Sequence, residues 1–496
     1  MTETRLVRGR WVLTGPADPV LADGAVAVTG DRIAEVGPYA ALRARHPAAE
    51  VLGGDGVAVL PGLVDAHHHA GGATVLQHGV ADDHLEPWLL ALGCRRPGDP
   101  FLDAVLTAGR LLRSGVTSVV DMTSGAGPAD AFAAELRRSL EGYDAAGIRV
   151  ALAPGFAEQS HLVAGPGEDE RFLATLPPDL RAEASRLVPA AGTLDADDYL
   201  GIVEDLRRAY RDHPRLEVWF GPPGPHWTSD GTWARIAEAA ARLDTRIQTH
   251  VAESLREKLV GPRAYGAPVL LHLRDLGVLS PRLSIAHGVW LTGPEIAALA
   301  ESGASLAHNP SSNLRLRAGV GPLNALLAAG VTVAIGLDAN GLDDDDDLLR
   351  EMRVALRLHR TPHLGGPAPT VADVLGMATT GGARLLGKAD RLGRLAAGLA
   401  ADLVLVDLER ITRPWVAPEA DPRALLVLRA QARDVRCVLV GGEVVLADGR
   451  PTRFDEAEAA RELAGRLAAA PCPAEAASLA RRLAPRLVAY YRGWES

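Results

Sequence analysis

The 496-residue sequence predicts an α/β chain: a (β/α)8 TIM-type barrel with a small β-sandwich domain built from both chain ends. Two textures carry that prediction. Short β-rich runs broken by turns fill residues 5–60 and return at 401–450, so both ends supply one domain. Between them, apolar β-like runs end in polar or Gly-containing turns and lead into Ala/Leu/Arg-rich helices, the alternation of parallel βαβ units. A doubly wound sheet is the alternative, and it would gather ligands at one crevice rather than on many strand ends.

The elements follow in order. RLVRGRWVLTG, GAVAVTGDRIAEVG and VAVLPG are Val- and Ile-rich with Gly between them, which suits a small sheet. VAVLPGLVDAHHH opens the repeating part. GVTSVVDM (115–122), GIRVALAPG (147–155), RLEVWFGPP (215–223), TRIQTHVAES (245–254), RLSIAHGVW (282–290), ASLAHNPSS (304–312) and VTVAIGLDAN (331–340) complete eight candidate strands. Eight such units fit a barrel, which takes about 250 residues before insertions. ADLVLVDL and VRCVLVGGEVVLADGR then return to the sheet. The expected domains are 1–60 with 389–450 for the composite β-sandwich, 61–388 for the barrel, and 451–496 for a helical tail. The tail's YYRGW end is expected to pack on the barrel.

Composition narrows the function. The chain is 47% hydrophobic and carries a net charge of −10, with no basic face to hold nucleic acid or a membrane surface. Cys94, Cys437 and Cys472 lie far apart, which excludes a disulfide framework and fits a reducing cytoplasm. Neither a signal peptide nor a membrane span is expected.

The chemistry starts at VDAHHHAGG. Side chains alternate along a strand, so His67 and His69 share a face and His68 points away, where it is expected to pack behind the strand. An HxH pair also arises by chance, so other strand ends must supply partners. TRIQTHVAES ends in His250 with Glu253 three residues on, RLSIAHG ends in His287, and VTVAIGLD ends in Asp338. Barrel strands converge at their C-terminal ends, so these residues can meet. His67, His69, His250 and Asp338 would hold one divalent ion with a position left open for water, the arrangement of a catalytic site. Such an ion brings the pKa of its water toward about 7. Asp338 would also accept a proton, His287 would orient the nucleophile, and Glu253 would pass protons to the substrate. Taken singly, each has a plainer explanation. Glu253 suits a helix first turn, His287 a satisfied core histidine, and His250 with Asp338 a buried pair.

Further residues are candidates for the substrate pocket: Gln77, His78, Trp88, His226, His308 and Asn309. For Trp88, Trp227 and Trp290 the choice is between stacking on a flat ring and core packing. His308 and Asn309 precede Pro310 and could equally form a turn. Ser312 and Asn313 are expected to shape a loop. Asp343 to Asp347 read as a solvated acidic loop, with Asp347 capping the next helix.

PGLVDAHHHA, THVAES, IAHG, HNPSSNLRLRAG and IGLDANGLDDDDDLLREMR, taken in order, resemble the amidohydrolase superfamily. The resemblance is strongest to its cytosine/guanine deaminase-like and chlorohydrolase branch, which acts on nitrogen heterocycles. GRLAAGLAADLVLVDL resembles the segment where such chains re-enter their β-sandwich, so the resemblance runs from about residue 5 to 450. It implies a mononuclear metal site on His67, His69, His250 and Asp338, with zinc first and iron(II) second, and Glu253 and His287 as the proton-handling pair. Binuclear relatives bridge two metals with a carbamylated lysine midway through the barrel. This chain's only lysines are Lys258 and Lys388, so no such bridge forms in the first half. Two departures concern the substrate. Pro223 stands where relatives often carry a substrate-touching histidine, so either His226 takes that role or the substrate differs. Gln77, His78 and His84 make the loop after the first barrel strand unusually polar.

The expected activity is hydrolytic deamination of an amino-substituted purine, pterin, pyrimidine or triazine. Hydrolysis of a cyclic amide or other C–N bond, and dechlorination, are the alternatives in the same site. A non-catalytic scaffold is the alternative of another class. The expected partner is a small molecule, and the expected assembly a homodimer or homotetramer.

Overall fold

The computed structural model describes residues 4–125, 127–188 and 194–495. Both chain ends build one eight-stranded sheet. From the N-terminal end come β1 (Thr4–Val12), β2 (Leu21–Thr29), β3 (Arg32–Pro38) and β4 (Glu50–Pro61). Valine and isoleucine alternate with smaller residues in these strands, so both faces bury side chains. Val7, Val26, Val28 and Val59 point to one face, and Leu6, Ala25 and Ala27 to the other.

The middle of the chain is parallel. β5 (Leu63–His69), β6 (Val116–Ser124), β7 (Arg149–Gly155) and β8 (Leu216–Val218) pair in chain order. β9 (Ile247–Val251), β10 (Leu283–His287), β11 (Ser305–His308) and β12 (Thr332–Ile335) form a second parallel set. The short β13 (Asp338–Ala339) pairs with β5. Phe220 donates to the Arg246 carbonyl at 3.0 Å, linking the end of β8 to β9, and Leu337 donates to the His67 carbonyl at 3.2 Å, linking the end of β12 to β5. All eight candidate strands of the repeating part are therefore strands.

Strand alternation sorts the interior. Val119, Leu152, Ile285, Leu306 and Val333 face the surrounding helices, while Val120, Ala151, Ala153, Ala307 and Ala334 face inward. The inward set is mostly small, as converging strands require. Gly336 shows how tight the approach is: a Cβ there would sit 2.3 Å from Asn309 Oδ1 and 2.9 Å from the His67 backbone nitrogen.

β14 (Leu403–Asp407), β15 (Val435–Val440), β16 (Glu443–Ala447) and β17 (Arg450–Pro451) finish the first sheet, and β14 lies antiparallel on β4. Two helices follow. Glu456–Ala469 sets Ala459 and Leu463 on Leu102, Val105 and Leu106. Ala474–Glu495 sets Leu479, Leu483, Leu487 and Tyr491 on Phe172, Leu176 and Leu180. Among the described residues no helix is long and apolar enough to cross a membrane.

The acidic run corrects the sequence reading. Only Asp344 and Asp345 are exposed; Asp343, Asp346 and Asp347 are buried. Each buried carboxylate has donors. Asp343 accepts from the Asp346 and Asp347 backbone N–H groups at 2.9 Å, and Asp346 pairs with Arg110 at 2.6 Å. Asp347 caps the helix Leu348–Leu358, as expected, and also accepts from the Ala432 N–H at 3.1 Å.

Candidate active site

Four strand ends bring the expected cluster together. β5 points His67 and His69 to one side, β9 and β10 end near His250 and His287, and β13 begins at Asp338. His69 Nε2 lies 3.2 Å from His250 Nε2. Asp338 Oδ1 lies 3.6 Å from His67 Nε2 and 3.4 Å from His69 Nε2. His287 Nε2 lies 3.5 Å from Glu253 Oε2 and 3.7 Å from Asp338 Oδ2. His68 points the other way, as expected, and lies buried with its Nδ1 3.1 Å from Asp65 Oδ2.

Whether these residues fit a cation is decided by where their protons sit. His69 Nδ1 faces the Met122 carbonyl at 2.7 Å, and His250 Nδ1 faces the Pro223 carbonyl at 2.6 Å. A carbonyl only accepts, so each Nδ1 carries hydrogen. Burial, then the neighbouring His67, lowers the pKa of His69 to about 3 and that of His250 well below the usual value, so both rings are neutral. Two bare Nε2 lone pairs therefore face each other at 3.2 Å. That contact is repulsive unless a cation lies between them. His67 repeats the pattern. Its Nδ1 is 3.0 Å from Gln248 Oε1, the Gln248 amide is fixed by donating to the Ala66 carbonyl at 2.8 Å, and His67 Nε2 is buried without a partner. Burial opposes ionisation of Asp338, yet His67 and His287 hold its carboxyl well below the ordinary range. Three imidazoles and one carboxylate suit a single divalent ion, and each imidazole has its outer nitrogen held by the protein.

Glu253 sits in different surroundings. Burial first, and then Glu257, Asp338 and Glu86, raises its carboxyl well above the usual range. Its backbone N–H donates to Glu257 Oε2 at 2.8 Å, and Ser254 Oγ donates to Glu86 Oε1 at 2.5 Å. Arg256 binds Glu86 at 2.9 Å and Glu495 at 3.2 Å, and no lysine or arginine pairs with Glu253 among the described residues. The backbone is strained where these groups are presented: φ is +50° at Ala252, +72° at His287 and +65° at Asp338.

The structure brings some of the other candidates to this centre. His287 Nδ1 lies 2.9 Å from Asn313 Oδ1 and 3.3 Å from Asn309 Nδ2. His226 is buried and neutral, because burial lowers its pKa to about 3. With Trp227, Tyr491 and Glu257, which accepts from the Glu253 backbone N–H, it lines a 300 Å³ cavity. Others lie elsewhere. His308 is buried with its Nε2 2.9 Å from His359 Nε2. Trp88 packs with Val75, Val80, Leu316 and Leu342, and Trp290 donates to the Ala318 carbonyl at 2.8 Å. Gln77 and His78 are not brought into the cluster: they line a 700 Å³ cavity bounded by Leu463 and Leu467 of the helix Glu456–Ala469.

Sequence reasoning also missed residues. Ser312 and Asn313 do more than shape a loop, since Ser312 Oγ donates to Asp338 Oδ2 at 2.5 Å and Asn313 holds His287. Gln248 had a usable signal, being two residues before His250 on one strand and therefore on the same face. Glu257 had one too, lying four residues after Glu253 in the first turn of the helix capped by Ser254, whereas Glu86 had none, because its approach depends on how distant segments pack.

Comparison with known proteins identifies the family. The amidohydrolase family profile matches residues 58–445, and an imidazolonepropionase-like composite domain of bacteria matches residues 24–49. The chain is 32% identical over 452 residues to a 5-methylthioadenosine/S-adenosylhomocysteine deaminase of Nitratidesulfovibrio vulgaris, covering 88% of this chain and 90% of the relative. It is 30% identical over 466 residues to a 5′-deoxyadenosine deaminase of Methanosarcina mazei, covering 92% and 96%. A zinc-bound adenosine deaminase structure from Xanthomonas campestris superposes with a TM-score of 0.77 at 29% identity, covering 93% and 98%. The chain belongs to the amidohydrolase family, and within it to the enzymes that act on carbon–nitrogen bonds of heterocycles.

Proposed function

We propose that the enzyme removes the 6-amino group of an adenosine-type nucleoside with a modified 5′ position, converting R–NH2 and water to the oxo-purine and ammonia. The observation that carries deamination is a buried carboxyl, Glu253, 3.5 Å from His287 and beside a cluster of bare imidazole nitrogens, raised well above the usual carboxylate range by burial and its acidic neighbours. The substrate class rests on the relatives' 30–32% identity over about nine-tenths of the chain.

His67, His69, His250 and Asp338 would hold one zinc ion. When bound, that ion lowers the pKa of water so that hydroxide is available near neutral pH. The remaining work falls to side chains. Asp338, held ionised and oriented by Ser312, accepts the proton of the attacking water through Oδ2. His287, fixed at Nδ1 by Asn313, keeps Nε2 directed between Asp338 and Glu253 and orients the nucleophile. Glu253 gives its proton to the ring nitrogen next to the reacting carbon. The resulting carboxylate then takes the proton of the new hydroxyl group while the proton held on Asp338 passes to the departing amine, so ammonia leaves and both carboxyls return to their starting states. His226 and Trp227, with ring centroids 4.0 Å apart and planes tilted by 38°, line the wall where the nucleoside would sit.

We further read the two parallel strand sets as one closed (β/α)8 barrel over 61–388. The composite sheet of 1–60 and 389–450 is its companion domain, and 451–496 is a helical tail on the barrel. Three unpaired cysteines support a cytoplasmic setting, and the assembly is a homo-oligomer.

The test is ammonia release from adenosine, 5′-methylthioadenosine, 5′-deoxyadenosine, S-adenosylhomocysteine, a pterin and a chlorotriazine. Turnover of the 5′-modified nucleosides above the rest is expected. Chloride release, or ammonia only from the pterin, would contradict this substrate class.

A further inference from the structure

A third cavity, of 440 Å³, opens at the N-terminal ends of β6, β7 and β8. Ser118 lines it on β6, four residues before Met122, whose carbonyl holds His69. Four residues of strand span about 13 Å, so the cavity lies at the opposite end of the strands from the metal cluster.

Its lining is basic in a chain whose net charge is −10: Arg149, Arg207, Arg211, Arg215, Lys388 and Arg391. Three of these cations are neutralised. Arg149 forks onto Asp402 at 2.7 and 3.0 Å, Lys388 pairs with Glu217, and Arg215 pairs with Glu443. These pairs shape the wall. The other three are not matched by a carboxylate among the described residues. Arg207 reaches only the Asp244 carbonyl, at 3.2 Å, and its Nε is buried without an acceptor. The Ser118 hydroxyl, on a residue 2% exposed, also has no partner. A buried donor without an acceptor is costly, and here two such donors border the same space as two free guanidinium groups.

We propose that this cavity binds the phosphate group of a small metabolite, independently of the metal centre. Guanidinium groups offer several N–H directions that match a tetrahedral oxyanion, and a serine hydroxyl supplies one more donor. The volume suits a small phosphorylated molecule rather than a lone ion. Asp212, the one unpaired acid on the lining, is exposed at the rim and leaves the inner wall cationic.

The experiment titrates the zinc-loaded full chain with inorganic phosphate at low ionic strength by calorimetry. The wild type is compared with the double variant R211Q/R391Q and with S118A. One saturable phosphate per chain is expected. It should weaken by about tenfold or more in R211Q/R391Q and measurably in S118A, while the double variant keeps its ammonia-releasing activity. No saturable binding below about 10 mM, or equal binding in wild type and double variant, overturns the proposal.

Discussion

The two carboxyls nearest the reaction are pushed in opposite directions by what surrounds them. Asp338 is ringed by imidazoles and stays ionised, whereas Glu253 is ringed by Glu257, Glu86 and Asp338 and stays protonated. One accepts protons and the other supplies them. Replacing Glu253 with Gln keeps the shape and removes the proton, so kcat should fall about 10²- to 10⁴-fold while zinc content is unchanged, read by ammonia release and metal analysis. Equal turnover would remove Glu253 from the mechanism. Glu351 gives a stability test away from the metal. Burial pushes its carboxyl to about 7, against the opposing hydrogen bonds from Ser311. A raised carboxyl favours the folded state most below its unfolded pKa of about 4.5, and that contribution is lost as pH rises through about 7. Melting curves of wild type and E351Q should therefore diverge with rising pH, in favour of the variant. A pH-independent difference would contradict this assignment. At this scale the sequence was legible for the residues that cluster at the strand ends and less so for their supports. His67, His69, His250 and Asp338 sit on strands whose period fixes their direction, but Asn313 and Ser312 act from a helix whose placement no local pattern encodes.

Elements set the precision of the site. The strands deliver side chains, and the turns after them place His287, Asp338 and Ala252 at positive φ. The acidic run shows the same division. Its charge pattern suggested solvation, but the chain uses Asp343 and Asp346 to tie the loop and Asp347 to start the helix Leu348–Leu358. Asp347→Ala removes a cap and a bond to Ala432, and should destabilise the protein by about 1–2 kcal/mol in urea denaturation. A loss below a few tenths of a kcal/mol would mean the cap is dispensable. The eight strands were legible because each is an apolar run bounded by turns. The destination of Gln77 and His78 was not, because the helix that walls their cavity lies almost 400 residues later in the chain.

At the scale of the whole molecule, the fold gathers residues from the ends of β5 and β13 in one parallel set and of β9 and β10 in the other onto a single point. His69 and His250 are 181 positions apart in sequence, yet present bare nitrogens to each other at 3.2 Å. Nothing in the protein alone relieves that contact, so the folded state and the bound ion are thermodynamically linked. The most direct measurement is the zinc content of the purified chain and of H250A, with the melting temperature of each before and after chelation. About one equivalent of metal in the wild type is predicted, with a melting temperature that falls on chelation and recovers with zinc, and near-zero metal in H250A. Less than about a tenth of an equivalent in an active wild type, or a full equivalent in H250A, would contradict the account.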